Sequence, residues 1–315
     1  MQLKKQKTKD KGASAIKEYS LAYRIWKYRE SYQLIFPFML LFFLFTVLPV
    51  LSSITLSFTD FNMLSMPNFV GFDNYERLLL DDDIFLIVFK NTLVFAFITG
   101  PISYILSFLF AWLINELGRV LRAFLTLIFY LPVLSGSVFF IWSLLLSSDA
   151  YGMINGILLD FGIIKEPVAW LLDQNTLLFS LIVVQLWMAL GTGFLAFVAG
   201  LQSMDQSMFE AAAIDGVSNR WQELFYVTLP SMSHQLLFSA VMQISASFGV
   251  GTVIIALAGF PTTQYSADTV VTYILDVGTT RFEMGYASTL AVVLFGMMFL
   301  TNFIITNLLR RFSAE

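Results

Sequence analysis

Glu210 and Asp215 bracket the run Ala211-Ala212-Ala213 within EAAAIDGVSNRWQELFYVTLP, a polar stretch at 210–230 set between long apolar segments. A rigid, surface-parallel helix pair with a ridge of alanines is a shape for docking into a groove of another protein. The local alternative is that both acids only cap their own helices. A second group of polar side chains lies inside the apolar segments. Gln185, Trp187 and Thr192 fall in one such segment, Gln243 and Ser247 in the next. Gln185 and Thr192 are two helical turns apart with Met188 and Ala189 between them, and Gln243 and Ser247 are one turn apart, so each pair shares a face. Amides and hydroxyls so placed either exchange hydrogen bonds with a hydroxyl-rich ligand, with Trp187 as a stacking plane, or fasten helices to one another.

Catalysis has little to work with. The chain has no cysteine and one histidine, His234, which excludes thiolate metal sites and multi-histidine centres. His234 has no acid or serine partner at a recognisable spacing and reads as an interfacial residue. There is no G-x-x-x-x-G-K-[ST] stretch and so no phosphate cradle of that kind in the chain. Any work it performs draws on another subunit or on an ion gradient. A proton relay would place carboxylates within a membrane, and the apolar segments hold none at their centres; sodium coupling through carbonyls and hydroxyls stays open.

These residues need a scaffold, and composition dictates which. Of 315 residues, 57% are hydrophobic and 13% charged, an excess that a water-soluble chain of this length has no core large enough to hide. Six stretches reach the roughly 20 apolar residues that a membrane helix requires: 34–58, 91–114, 120–147, 176–200, 231–258 and 284–309. The short run 84–89 is too brief to span and is expected at the interface. The first 31 residues hold nine Lys and Arg. Placing that arm in the cytoplasm puts fourteen basic residues inside, Arg119, Arg122, Arg220, Arg310 and Arg311 among them, against four outside. The expectation is an all-α integral membrane protein of six transmembrane helices with both termini cytoplasmic. A basic arm at 1–33, either an interfacial helix or a solvated tether, precedes a six-span domain at 34–311 and a tail at 312–315. The outer loop 58–83 predicts a short helix from Asp73, and Trp170 in the loop 147–175 reads as an interfacial anchor.

The loop 201–230 then falls inside. Ser207 and Glu210 have capping-box spacing, Asp215-Gly216 predicts a turn, Asn219 with Gln222 offers a second capping pair, and Pro230 marks the stop. Trp221, Leu224, Phe225 and Thr228 are expected on one face of the second helix.

The same stretch resembles the EAA motif of binding-protein-dependent ABC importer permeases. It matches at Glu210, Ala211, Ala212, Asp215, Gly216, Phe225, Thr228, Leu229 and Pro230. The likeness extends to FPFMLLFFLFTVLPVLSSITLSFTDFN (36–62), FVGFDNYERLL (69–79), YGMIN (151–155) and VAWLLD (168–173), which are similar to carbohydrate permeases of the maltose and glycerol-phosphate type. The resemblance implies a type I importer permease in a bacterial or archaeal cytoplasmic membrane. Its partners would be a second homologous permease, two ATPase subunits that bind ATP and Mg, and an external solute-binding protein; no cofactor belongs to the chain itself and no nucleic acid is involved. It implies that Glu210 meets a basic residue of the ATPase and that Gly216 permits the turn. It further implies sugar contacts at Gln185, Met188, Ala189, Thr192, Gln243, Ala246 and Ser247, with a substrate other than maltose because several of these side chains differ from the maltose pattern. A permease for a non-sugar solute and a sodium-coupled carrier are the alternatives.

Overall fold

The computed structural model describes residues 26–135 and 138–313, the side chains of Thr192 and of residues 310–313 lying outside that description. The basic arm is therefore outside the described residues up to position 25, as are the last two residues of the tail. Among the described residues the chain is almost wholly helical, with one isolated bridge between Thr59 and Phe69.

Two compact units divide between Ser52 and Ser53. The first contains most of α1 (Arg29–Leu56), 28 residues of high mean hydropathy. Its turn at Phe43–Val47 is wider than an α-turn. Pro49 lacks an N–H and its ring crowds the carbonyl four residues back, at Phe45, which the wide turn displaces.

The second unit begins its helices with α2 (Asp73–Glu76), the short helix expected there. α3 (Asp83–Asn115) follows, with Asp82 as N-cap accepting from Phe85 N at 2.9 Å. The run 84–89 is thus no separate interfacial piece. Lys90 and Asn91 continue the helix, and all 33 residues form one element. α4 (Arg119–Leu134) and α5 (Val138–Leu145) meet at 86°. The expected straight span at 120–147 is bent there, where Pro132 and the extended Ser135 end the first helix. α6 (Met153–Asp160) precedes α7 (Gln174–Met188) and α8 (Thr192–Gln202), which are separated by Ala189-Leu190-Gly191. The loop helices α9 (Gln206–Ile214) and α10 (Arg220–Glu223) lead into α11 (Ser233–Phe248) and α12 (Thr252–Ala258). Gly249-Val250-Gly251 separates these last two. α13 (Val270–Leu275) and α14 (Met284–Ser313) complete the chain.

Five helical stretches are long and apolar enough to cross a membrane, and the bent α4–α5 pair makes a sixth if it is one span. α3 is the central element, packing on α8 and α11, while α11 also packs on α14. Its packed face carries Thr92, Thr99, Ser103 and Ser107, all buried. Small hydroxyl residues let helices approach closely, and Thr92 and Thr99 satisfy their own hydroxyls on the carbonyls of Val88 and Phe95, each at 2.7 Å. Trp170, expected as a lipid anchor, instead donates its indole N–H to the buried Asn155 at 2.9 Å. Asn155 Nδ2 also donates to Ser147 O and Val168 O at 3.0 Å each, tying the YGMIN and VAWLLD stretches together.

Candidate functional site

Three helix breaks meet at one place. A cavity of about 380 Å³ is lined by Ser135 from the α4–α5 bend, by Gln185 and Met188 at the end of α7, and by Ala246, Gly249 and Gly251 at the α11–α12 break. Non-helical backbone at membrane depth is tolerated only where protein buries it or water reaches it, because each freed N–H or C=O otherwise lacks a partner. Two of the freed carbonyls have acquired side-chain donors. Ala189 O accepts from Gln243 Nε2 at 3.1 Å, and Val250 O accepts from Thr269 Oγ1 at 2.6 Å.

Gln185, Met188 and Ala246 therefore lie together on the cavity wall. Trp187 is 38% exposed and stacks edge-to-face on Trp142, with ring centroids 5.6 Å apart. Ala189 ends α7, and Thr192 opens α8 with its side chain outside the description. Gln243 and Ser247 do not line this cavity. Gln243 is 4% exposed, and besides Ala189 O it reaches Ser107 Oγ at 3.2 Å and Ser103 Oγ at 3.3 Å, joining α3, α7 and α11. Ser247 Oγ donates to Ile244 O at 2.8 Å on its own helix. For Gln243 the helix-fastening role is the one the geometry displays; Ser247 bonds within its own helix, and both line a separate, apolar cavity of about 180 Å³. Ser135 and the glycines of the break were missed as lining residues. Pro132 followed by small residues inside a supposed span was the available signal.

At the far end of α8 the loop forms the expected helix, turn and helix, with a different cap at its start. Asp205, not Ser207, is the N-cap of α9: its carboxylate accepts from Ser207 N at 3.0 Å. That bond, on a fully solvated side chain, holds Asp205 below its ordinary 3.8. The exposed Glu210 lies inside the helix, away from its capping position. α9 ends with Gly216 at φ +95°, Gly216 N bonding to Ala213 O at 3.3 Å and Val217 N to Ala212 O at 3.0 Å. This paired closure is the Schellman arrangement, and glycine adopts its left-handed residue without a Cβ clash. Asn219 caps α10 by accepting from Trp221 N at 2.6 Å, while Gln222 reaches back to Ser218 N at 3.1 Å.

α10 continues past Glu223 through a wide turn, Leu224–Thr228, and stays helical over Pro230 to Ser231. Pro230 therefore does not stop the helix. The carbonyl it would crowd, Tyr226, lies in that wide turn, as Phe45 does for Pro49. Leu224 and Thr228 are buried, and Trp221 packs on Trp112 of α3 at 5.6 Å, but Phe225 is exposed, so the expected single face holds only in part. Arg220 bridges to Glu116, just beyond α3, at 2.8 Å. Behind the loop lies a polar cavity of about 570 Å³ whose lining includes Glu116, Arg122, Glu210 and Arg220.

No family model matches the chain. It is 31% identical over 273 residues to the "Probable ABC transporter permease protein YesP" of Bacillus subtilis, covering 84% of this chain and 85% of that one. It is 33% identical over 209 residues to the lactose transport system permease protein LacF of Rhizobium radiobacter, 65% of this chain and 68% of the relative. The trehalose/maltose transport system permease protein MalF of Thermococcus litoralis is 30% identical over 240 residues, 74% and 79% of the two chains. A solved structure of a bacterial ABC transporter involved in import of the acidic polysaccharide alginate superposes with a TM-score of 0.76 at 23% identity, over 93% of this chain and 99% of its counterpart.

Proposed function

We propose, from the fact that this chain belongs to the permease subunits of sugar ABC transporters, that its three helix breaks form half of a saccharide pathway and that the 201–231 loop couples that pathway to separate ATPase subunits. The subunit is a transport component and not an enzyme. The observation that carries the reading is the convergence of the breaks on the cavity of about 380 Å³. Interrupted membrane helices are where transporters bring polar backbone to a substrate without exposing it to lipid. Gln185 and Ser135 add an amide and a hydroxyl able to exchange hydrogen bonds with sugar hydroxyls.

The remaining parts follow from charge and shape. The bias of Lys and Arg supports six spans with both termini, and the 201–231 loop, in the cytoplasm of a bacterial or archaeal cell. A second, homologous permease supplies the other half of the pathway, an external binding protein delivers the sugar, and two ATPases bind ATP and Mg. The alginate transporter has also been solved with an oligosaccharide-bound periplasmic protein, which supports a partner of that kind here. α9 presents the exposed Glu210 and the alanine ridge Ala211–Ala213 for docking. Asp215 and Gly216 close the turn, so that α9 and α10 move as one lever when the ATPases close. The substrate is an oligosaccharide, in keeping with the lactose and trehalose/maltose names of two relatives.

The test is uptake of labelled oligosaccharides into proteoliposomes holding the complete complex and its binding protein. Uptake is expected with ATP on the ATPase side and no ion gradient. Uptake driven by a sodium gradient without ATP overturns the coupling, and uptake restricted to a non-sugar solute overturns the substrate class. Glu210→Ala is expected to lower ATP-driven uptake at least about ten-fold, the order of a lost buried ionic contact at an interface, with membrane insertion unchanged.

A further inference from the structure

The cavity wall at Gly249–Gly251 is held from a segment to which no role has yet been given. Residues 259–283 connect α12 to α14 and carry α13, at the opposite end of the α11–α12 pair from the 201–231 loop. Thr269, the N-cap of α13, donates its Oγ1 to Val250 O at 2.6 Å. The next residue is packed as tightly: a Cβ on Gly251 would lie 2.8 Å from Val271 Cγ1. Thr269 is itself fixed in place. Its neighbour Asp268 is 1% exposed, and its carboxylate accepts from Thr262 N at 2.7 Å, from Thr262 Oγ1 and from Thr272 Oγ1 at 2.7 Å. α3 grips the same corner independently, Asn91 Nδ2 donating to Asp268 O at 3.0 Å and Thr92 Oγ1 accepting from Val270 N at 2.9 Å.

We propose that Thr269 and Asp268 are positioning residues for the pathway, holding the Val250 carbonyl and so setting the shape of the cavity wall from segment 259–283. The inference rests on reading that cavity as the pathway. Asp268 organises the Thr262–Thr272 corner, the corner orients Thr269, and Thr269 holds the carbonyl of Val250, which lines the same cavity as Gly249 and Ala246. A rigid brace of this kind links the loop to a wall that it does not itself line.

The chain has no cysteine, so Ala246→Cys places a single thiol in the cavity. The measurement is the rate at which N-ethylmaleimide labels that thiol in the full-length chain in lipid nanodiscs. Adding Thr269→Val, which keeps the shape and removes the donor, is expected to change the rate about three-fold or more, the order set by one buried hydrogen bond. Thr269→Ser keeps the hydroxyl and is expected to restore the parent rate. Thr289→Val removes another buried hydroxyl, one that donates to Ser57 O at 3.0 Å away from the break, and is expected to leave the rate unchanged. A parent rate in folded Thr269→Val overturns the proposal, as does an equal change in Thr289→Val. If Thr269→Val does not insert, Gly251→Ala disturbs the same brace through Val271, and a parent rate there overturns the proposal too. Labelling needs neither ATP nor sugar, so its outcome and that of the uptake experiment fail independently.

Discussion

The 201–231 loop and the 259–283 segment close opposite ends of the α11–α12 pair, and they are held by opposite means. In the loop, the organising bonds are local. Asp205 caps two residues ahead, Asn219 caps two residues ahead, and Gln222 reaches four residues back. Its ties to the rest of the molecule include the exposed Arg220–Glu116 pair, the Trp221–Trp112 contact and the packing of Leu224, Val227 and Thr228. In the segment, the local bonds on Asp268 are joined by others that span the chain: Asn91 reaches Tyr265 O and Asp268 O, Thr92 meets Val270, and Asp82 accepts from Tyr273. A shape made from local bonds survives being moved as a body, which suits a lever. A shape borrowed from α3 changes only when α3 does, which suits a wall.

The sharpest way to break that contrast is at its two acids. Asp268→Ala strands the buried Thr262 N and Thr262 Oγ1, while Thr272 Oγ1 keeps Thr269 O, and is expected to cost about 3 kcal/mol, read as a lower unfolding temperature of the detergent-solubilised chain. Asp215→Ala, on an exposed side chain, is expected to stay within about 0.5 kcal/mol; equal losses would erase the distinction. Next in size is the pair of glutamines. Gln243→Leu is expected to cost about 1–2 kcal/mol of stability by unpairing Ser107 and the Ala189 carbonyl, Ser103 keeping Gly100 O. Gln185→Leu is expected to raise the sugar concentration for half-maximal uptake and leave the unfolding temperature alone. Gly216→Ala forces a Cβ into a left-handed conformation at about 1 kcal/mol. Faster hydrogen exchange is expected at the Val217 amide, with segment 259–283 unaffected.

The smallest effect is one of pH. Asp205 titrates below its ordinary 3.8 because the Ser207 amide favours the charged carboxylate. A group depressed in this way contributes its full cap above the unfolded pKa and loses it as pH falls through the folded value. Protection of the Ser207 amide, corrected for intrinsic exchange, should be flat at pH 5 and above and fall below about pH 3.8. No comparable acid loss is expected at Val270 N, whose acceptor is the hydroxyl of Thr92.

The same division explains what could be read before the structure. The helix, turn and helix of the loop were legible because Gly216, Asn219 and Gln222 act on neighbours, within reach of a sequence pattern. The N-cap was misplaced by two residues because Ser207 has capping-box spacing to Glu210, while the carboxylate of Asp205 is the stronger acceptor for the same end. Apolar lengths located the spans but not their interruptions. Gly249-Val250-Gly251 and the stretch after Pro132 are apolar enough to pass as continuous helix, and the run 84–89 gave no sign that Lys90 would be carried inside one. Periodicity put Gln243 and Ser247 on a common face, yet it is silent on whether that face meets another helix or an opening. Only the approach of α3 decides that, across more than a hundred residues of chain.

The interruptions in α4–α5, α7–α8 and α11–α12 have an evolutionary corollary. Peptide carbonyls come with every residue and amides with every residue but proline, so the polar fraction of the wall that they supply outlasts most changes of the side chains that line it. Side chains such as Met188 and Ala246 are then free to be trimmed or enlarged, retuning which saccharide fits, without any lineage having to bed a fresh polar group in hydrocarbon.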